Sequence, residues 1–172
     1  MKISQAALVL AAIVSASACS DAGAPRAGET AEAESLVGVW RAQMRFAGGA
    51  FADMKDLEFM YAFNAGGTMT ESSNYDSAPP VPPAYGVWKK TGPRQFEIKY
   101  VFYNTKAPAA FEDIAKGGGW LPAGVGVFTE KISLSEDGKS YKSAVTYVAL
   151  DPSGKAMEGG GDASSTGKRL GF

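Results

Sequence analysis

Two glutamates, Glu71 and Glu130, are the residues of this sequence best placed to do chemistry. Each falls in a run of alternating residues and shares the phase of large apolar side chains, Phe63 before the first and Ile132 after the second. Side chains along a strand alternate between its two faces, so both carboxyls are predicted to face an apolar interior. A buried carboxylate is costly unless it is paired or protonated. Two such groups could bind the polar end of a ligand or act as general acid and base.

The same alternation assigns hydroxyl groups and aromatic rings to this interior. Its further polar members are predicted to be Tyr61, Tyr100, Tyr141, Tyr147, Ser73 and Ser143. An apolar site with a few polar groups is typical of a small-molecule pocket. The expected ligand-binding residues are Tyr61, Glu71, Trp88, Tyr100, Phe128, Glu130 and Tyr147. The alternative is a one-residue register error or a bulge, which would turn one glutamate to solvent.

The composition excludes several other chemistries. The chain has no histidine, which removes Ser-His-Asp and Cys-His catalysis and histidine zinc sites. Asp137, Asp151 and Asp162 lie at unrelated spacing and do not form a calcium loop. We therefore expect no metal and no cofactor. A net charge of -1 without a long basic run also gives no reason to expect a nucleic-acid partner.

The element that would position the interior residues most clearly is a hairpin over residues 85–104. Two alternating runs flank a turn at 91–94, and Phe96, Ile98, Tyr100 and Phe102 share one face. An Asp-Gly turn at 136–139 marks another hairpin. With 21 glycines, nine prolines and little helical periodicity, the chain is predicted to be all-β.

The whole pattern predicts eight strands joined as successive hairpins. The strands are expected at 36–46, 56–64, 68–74, the two arms of 85–104, 124–135, 141–150 and 155–170. Eight antiparallel strands with short connections close a small up-and-down barrel, although a two-sheet sandwich has a similar strand count. Residues 78–83 and 105–122 are expected to be loops at the barrel rim, with two helical turns at 109–116.

The first 18 residues have the pattern of an export signal. Lys2 supplies a positive charge, residues 6–14 are apolar but too few to span a membrane, and Ala16-Ser17-Ala18 is a small-residue cleavage site. Cys19 would then be first. This arrangement resembles a bacterial lipoprotein box, although Ala16 stands where the motif usually has Leu. The alternative is an ordinary secretory signal followed by a chance cysteine.

The lipoprotein resemblance implies lipidation of Cys19 and attachment to a membrane. Ser20 rather than Asp follows the cysteine, which by the same resemblance implies an outer-membrane lipoprotein facing the periplasm; without lipidation the protein would be secreted. Residues 19–34 are rich in Ala, Gly and Glu and lack an apolar period, so we expect a disordered tether. The barrel domain is expected to span 35–172.

Gly38-Val39-Trp40 near the start of the domain and Lys168-Arg169 near its end resemble the lipocalin and wider calycin pattern. In that family a Gly-x-Trp opens the first strand, and an Arg from the end of the chain packs over the Trp to close the barrel. The resemblance implies that Trp40 and Arg169 close one end here. Other lipocalin segments are not recognisable, so the resemblance is one of architecture, to a bacterial lipocalin-like group.

Three functions agree with these observations. The first is a lipid-anchored envelope barrel that binds a small hydrophobic molecule. The second is a cofactor-independent isomerase or cyclase in which Glu71 or Glu130 moves a proton. The third is a structural envelope protein whose barrel is filled with side chains. An open interior would distinguish the first two from the third.

Overall fold

The computed structural model describes residues 34–49, 51–74, 82–107, 109–110, 112 and 121–171. These residues form eight strands: β1 (Gly38–Phe46), β2 (Glu58–Phe63), β3 (Thr68–Ser73), β4 (Ala84–Gly92), β5 (Gln95–Lys106), β6 (Leu121–Leu134), β7 (Ser140–Leu150) and β8 (Gly161–Arg169).

Each strand pairs antiparallel with the next along the chain, and β8 pairs with β1, so the sheet is a closed barrel. The prediction of an all-β, eight-stranded, antiparallel up-and-down barrel is thus confirmed, and the two-sheet sandwich is excluded. Closure leaves no strand edge with unpaired backbone groups. A calycin-like architecture agrees with this topology.

The alternation of side chains follows the predicted phase. On β1 the buried residues are Trp40, Ala42, Met44 and Phe46, and on β2 they are Phe59, Tyr61 and Phe63. Both Glu71 and Glu130 are buried, with 6% and 0% of their surface exposed. The alternative of a register error that turns one of them to solvent is therefore excluded.

Two strands begin more than two residues away from their predicted starts. β6 begins at Leu121 rather than Gly124, because its first residues continue to pair with β5 beyond a bulge between Tyr103 and Thr105. β8 begins at Gly161 rather than at residue 155, because the chain first turns at Gly154 and Gly159, both of which have positive φ. Only an isolated bridge between Leu150 and Ala156 lies within that turn.

The two ends of the barrel differ in their connections. At one end the turns 64–67, 93–94 and 135–139 join consecutive strands, and β1 begins there while β8 ends there. At the other end the connections 47–57, 74–83, 107–120 and 151–160 are all longer. We call these the closed end and the long-loop end. Binding and catalytic residues concentrate on or near loops held by a rigid scaffold.

Trp40 and Arg169, which the family resemblance expects to close one end of the barrel, lie in contact at the closed end. The Arg169 guanidinium lies 4.3 Å from the centre of the Trp40 ring. Trp40 Nε1 donates to the Leu36 carbonyl at 2.9 Å, and Arg169 donates to the carbonyls of Ser35, Val37 and Gly138. The indole is fully buried, and a cation over a buried ring contributes up to about 2 kcal/mol.

Three predicted segments lie wholly or largely outside the described residues. They are the export signal with Cys19 and the tether as far as residue 33, the proline-rich loop as far as residue 81, and most of the helical turns at 109–116. Among the described residues, none belongs to a helix with the length and apolar character that a membrane crossing requires.

Candidate functional site

Glu130 lies at the centre of the barrel in a cradle of hydroxyl groups. Ser143 and Ser165 both donate to Glu130 Oε1, the second at 2.9 Å, and Tyr61 donates to Oε2 at 3.3 Å. The three donors lie on β2, β7 and β8, and the alternation of side chains along each strand points them inward. Hydrogen bonds to an ionised carboxylate contribute about 1.5–3 kcal/mol each. The cradle therefore favours the charged form of Glu130.

A second phenol extends this network. The hydroxyl oxygens of Tyr61 and Tyr100 lie 3.1 Å apart. A phenol has only one proton to donate. Since Tyr61 uses its proton on Glu130, Tyr100 must donate to Tyr61. The hydrogen bonds thus run in one direction, from Tyr100 through Tyr61 to the carboxylate.

Glu71 is the other carboxyl of the interior, and it has no such cradle. It lies on β3 opposite Tyr61 on one side and Ala84 on the other. Its Oε1 atom is buried and accepts no hydrogen bond from any residue that the structure describes. Leaving a buried polar atom without a partner costs about 1–3 kcal/mol, so this atom calls for a partner that the described part of the chain does not provide.

The electrostatics of the two carboxyls follow from these surroundings. Burial, and to a lesser extent the charge of Glu130, raises the pKa of Glu71 from 4.5 to about 8. Burial also raises the pKa of Glu130, but hydrogen bonds from Ser143, Ser165 and Tyr61 oppose the rise. Glu71, whose pKa burial raises to about 8, therefore holds a proton at neutral pH.

The phenols around the carboxyls remain neutral. Burial raises the pKa of Tyr61 and of Tyr100 well above 10, and the nearby glutamates add to the rise. Burial likewise raises the pKa of Tyr141. The Tyr141 hydroxyl makes no hydrogen bond of normal geometry, although Ser165 is near enough to oppose the rise slightly. Tyr61 and Tyr100 thus serve as hydrogen-bonding groups rather than as bases.

Two interior glycines make room for these phenols. Tyr100 lies opposite Gly86 on β4, and Tyr141 lies opposite Gly167 on β8. A Cβ at Gly86 would collide with the backbone of Lys99 and Tyr100, and one at Gly167 would collide with the Tyr141 ring. The absence of a side chain at Gly86 lets the backbones of β4 and β5 approach closely beside Tyr100, and its absence at Gly167 leaves room for the Tyr141 ring.

Aromatic rings fill the barrel between the carboxyls and the long-loop end. Phe128 stacks on Tyr100 with ring centres 4.9 Å apart and on Tyr147 at 4.7 Å. Phe51, from the loop between β1 and β2, packs against Phe46 at 5.2 Å and Tyr147 at 6.2 Å. This aromatic layer separates the polar centre from the long loops.

The structure thus brings six of the seven expected ligand-binding residues into one continuous interior, but Trp88 lies apart from the carboxyls. Its ring contacts Phe63 and Phe96, and its Nε1 donates to the Asn64 carbonyl at 3.0 Å. Asn64 belongs to the turn between β2 and β3. Trp88 therefore lies at the closed end, on the side away from the long loops.

Ser165 is a member of the cradle that the sequence analysis missed. The glycine-rich last strand has no large apolar residue from which to read its phase. Arg169 would have supplied that phase, because period-two alternation from a residue that caps Trp40 turns Gly167 and Ser165 inward. Both are buried.

The acidic side chains of the site are not arranged to bind a metal ion. In the described ranges, no three Asp, Glu or Cys side chains come close enough together to hold one.

The chain matches no protein-family model, no curated protein and no solved structure. The function must therefore be inferred from the site itself.

Proposed function

We propose that this protein is a cell-envelope barrel that binds a small, largely hydrophobic molecule carrying one polar group. The proposal rests on Glu71, a buried carboxyl among aromatic rings with an oxygen to which no described residue donates a hydrogen bond. Small-molecule sites are typically apolar, with a few polar groups that orient the ligand. Here Glu71 would be that group, and Glu130 with its hydroxyl donors would hold the surrounding side chains in place.

The long-loop end is the side from which a ligand would enter. Glu71 lies two residues from the end of β3, where the chain leaves the barrel for the connection at 74–83. At the closed end Arg169 lies over the buried Trp40 ring. A ligand that entered from the long-loop end would have to pass the packed rings of Phe51, Phe102 and Tyr147.

Native mass spectrometry tests this proposal most directly. The full-length protein is made with its own leader and purified from the envelope, and its mass is compared under native and denaturing conditions. We expect a discrete mass that is present in the native spectrum and lost on denaturation. A covalent lipid at Cys19 would persist in both spectra, so the two contributions separate.

The matched variants are Glu71→Gln and Glu97→Gln. Glu97 is a glutamate on the neighbouring part of the same barrel, but it lies on the outer face, paired with Lys89 at 2.8 Å. We expect Glu71→Gln to lose the dissociable mass and Glu97→Gln to keep it. A bare protein in every spectrum would contradict binding and would favour a filled structural barrel.

Proton transfer is a second candidate, favoured by one observation. A carboxyl with a pKa of about 8 beside a second carboxyl can both give and take a proton near neutral pH, which is the requirement for general acid and base catalysis. A cofactor-independent isomerase or cyclase would use Glu71 for that transfer. It would convert the copurified molecule on incubation, and Glu71→Gln would retain the molecule unchanged.

Attachment through Cys19 is the part of the proposal that concerns location. It rests on the lipoprotein-like sequence around residues 16–19. We expect the wild-type protein in the outer-membrane fraction, facing the periplasm, and Cys19→Ser in the soluble fraction. A soluble wild-type protein with a free thiol would contradict the anchor and leave the barrel proposal untouched.

A further inference from the structure

We infer that the ligand is a cation: an apolar or aromatic molecule that carries a protonated amine, whose ammonium group is bound by the free oxygen of Glu71. This inference rests on the proposed binding function and names the chemical class of its ligand. It follows from three features of the interior: its charge, its rings and its unmatched hydrogen-bond acceptor.

The first feature is a one-sided charge. Two carboxyls lie inside the barrel, whereas every lysine that the structure describes is exposed. Arg169 is bound at the closed end to carbonyl groups and Trp40. Buried charges in proteins are paired or neutralised, and in the free protein a proton neutralises Glu71. A cationic ligand would replace that proton and supply the positive charge that the described residues do not place beside Glu71.

The second feature is the aromatic surroundings. Tyr61 lies opposite Glu71, its ring is 5.9 Å from that of Tyr100, and Tyr100 stacks on Phe128. Ring faces attract an ammonium group, and they do so more strongly where water is excluded. The same rings would pack against the apolar part of the ligand.

The third feature is the hydrogen-bonding balance. An ammonium group has donors and no acceptor, and the unsatisfied atom of Glu71 is an acceptor when the carboxyl is ionised. A ligand with a hydroxyl or carbonyl group would instead bind the protonated carboxyl. The two ligand classes thus need opposite protonation states of Glu71.

The two classes therefore predict opposite pH dependence. The groups that face Glu71 are Glu130 on β6, Tyr61 on β2 and Tyr100 on β5, and both phenols stay neutral across the range concerned. Because the pKa of free Glu71 is about 8, a cation must expel its proton below that pH. Affinity for an amine should rise as pH increases toward 8, whereas affinity for a neutral ligand should fall as pH passes through 8.

The test uses phenethylamine and phenethyl alcohol, which share a shape and differ in charge. Binding to the full-length protein is measured by isothermal titration calorimetry below and above pH 8, in buffers of different ionisation enthalpy. We expect the amine to bind at least about tenfold more tightly than the alcohol, which corresponds to about 1.4 kcal/mol. Its binding below pH 8 should release a proton, and its affinity should increase with pH.

Glu71→Gln should abolish both the preference for the amine and the proton release, and Glu97→Gln should leave both unchanged. Circular dichroism of each variant checks that the barrel is folded. Equal or tighter binding of the alcohol, or failure of both probes to bind, overturns the inference. A dissociable neutral molecule in the native mass spectrum would likewise overturn it but keep the proposed binding function, whereas the absence of any such mass would contradict both.

Discussion

The closed end and the centre of the barrel differ in how their charged groups are paired. At the closed end the partly buried Arg169 donates to three carbonyl groups and lies over an indole ring. At the centre Glu71 has a buried oxygen to which no described residue donates a hydrogen bond, and it lies near a second carboxyl. The first arrangement stabilises the fold. The second costs stability, which is the usual sign of a site kept for function.

The two glutamates differ from each other in the same respect. Glu130, like Arg169, has three hydrogen-bond partners, although it lies in the same interior as Glu71. Burial alone therefore does not identify the candidate ligand-binding group. The distinction lies in the number of donors that neighbouring strands present to each carboxyl.

Trp40→Ala should have the largest effect, because it removes a fully buried indole. Truncating a large core side chain costs about 3–5 kcal/mol. Urea unfolding should show such a loss. Trp88→Ala is the matched control and should cost less, since Trp88 is only partly buried. Equal losses from the two variants would contradict a larger contribution to stability from the fully buried Trp40 than from the partly buried Trp88.

Glu71→Gln should have the next largest effect on the free energy of unfolding. Above pH 8 it should stabilise the protein, whereas Trp40→Ala destabilises it. The pKa of Glu71 is higher in the folded protein than its ordinary 4.5, so folding favours the protonated form. The free energy of unfolding should therefore fall as pH rises from 4.5 and level off above about 8. Glu71→Gln should remove most of this decline and be more stable than wild type above pH 8 by roughly 1–3 kcal/mol.

Urea unfolding at a series of pH values measures this change. Glu97→Gln serves as the control, because Glu97 is exposed and its pKa is lowered by Lys89. If the free energy of unfolding still declines with pH in Glu71→Gln, another group causes the decline, and Glu130 is the first to test.

Coupling between Trp40 and Arg169 should be the smallest of these effects. Residues in contact couple by about 0.5–3 kcal/mol, whereas distant residues add. A double-mutant cycle with Trp40→Leu and Arg169→Met should give a coupling of about 1 kcal/mol, the usual scale of a cation over a ring. Additive losses would mean that the contact at 4.3 Å contributes nothing to closure.

Much of the fold could be predicted from the sequence, because strands with one buried face leave a strong period-two signal. Phe96, Ile98 and Tyr100 set the phase of β5, and the Asp-Gly turn at 136–139 fixed the hairpin of β6 and β7. The start of β8 could not be placed in this way. Its glycines carry no phase, and a turn and a strand look alike in such a segment.

The site was predictable only in part. Alternation placed Glu71 and Glu130 inside, but it gives no information about which strands will meet across the barrel. Whether a carboxyl receives hydroxyl donors depends on those contacts, as the pairing of Ser143 and Ser165 with Glu130 illustrates. Trp88 shows the same limit, since a residue of the right phase proved to lie at the closed end.

The protonation of Glu71 at neutral pH is the property on which the proposed site depends most, because one oxygen of this buried carboxyl accepts no hydrogen bond from any described residue. Carbon-detected NMR of the glutamate side chains, with Glu71→Gln to assign the signal, measures this protonation. We predict that the Glu71 carboxyl titrates near pH 8 and that bound phenethylamine moves its titration to lower pH. Titration near 4.5 that the amine leaves unchanged would contradict both the raised pKa and the binding of the amine at Glu71.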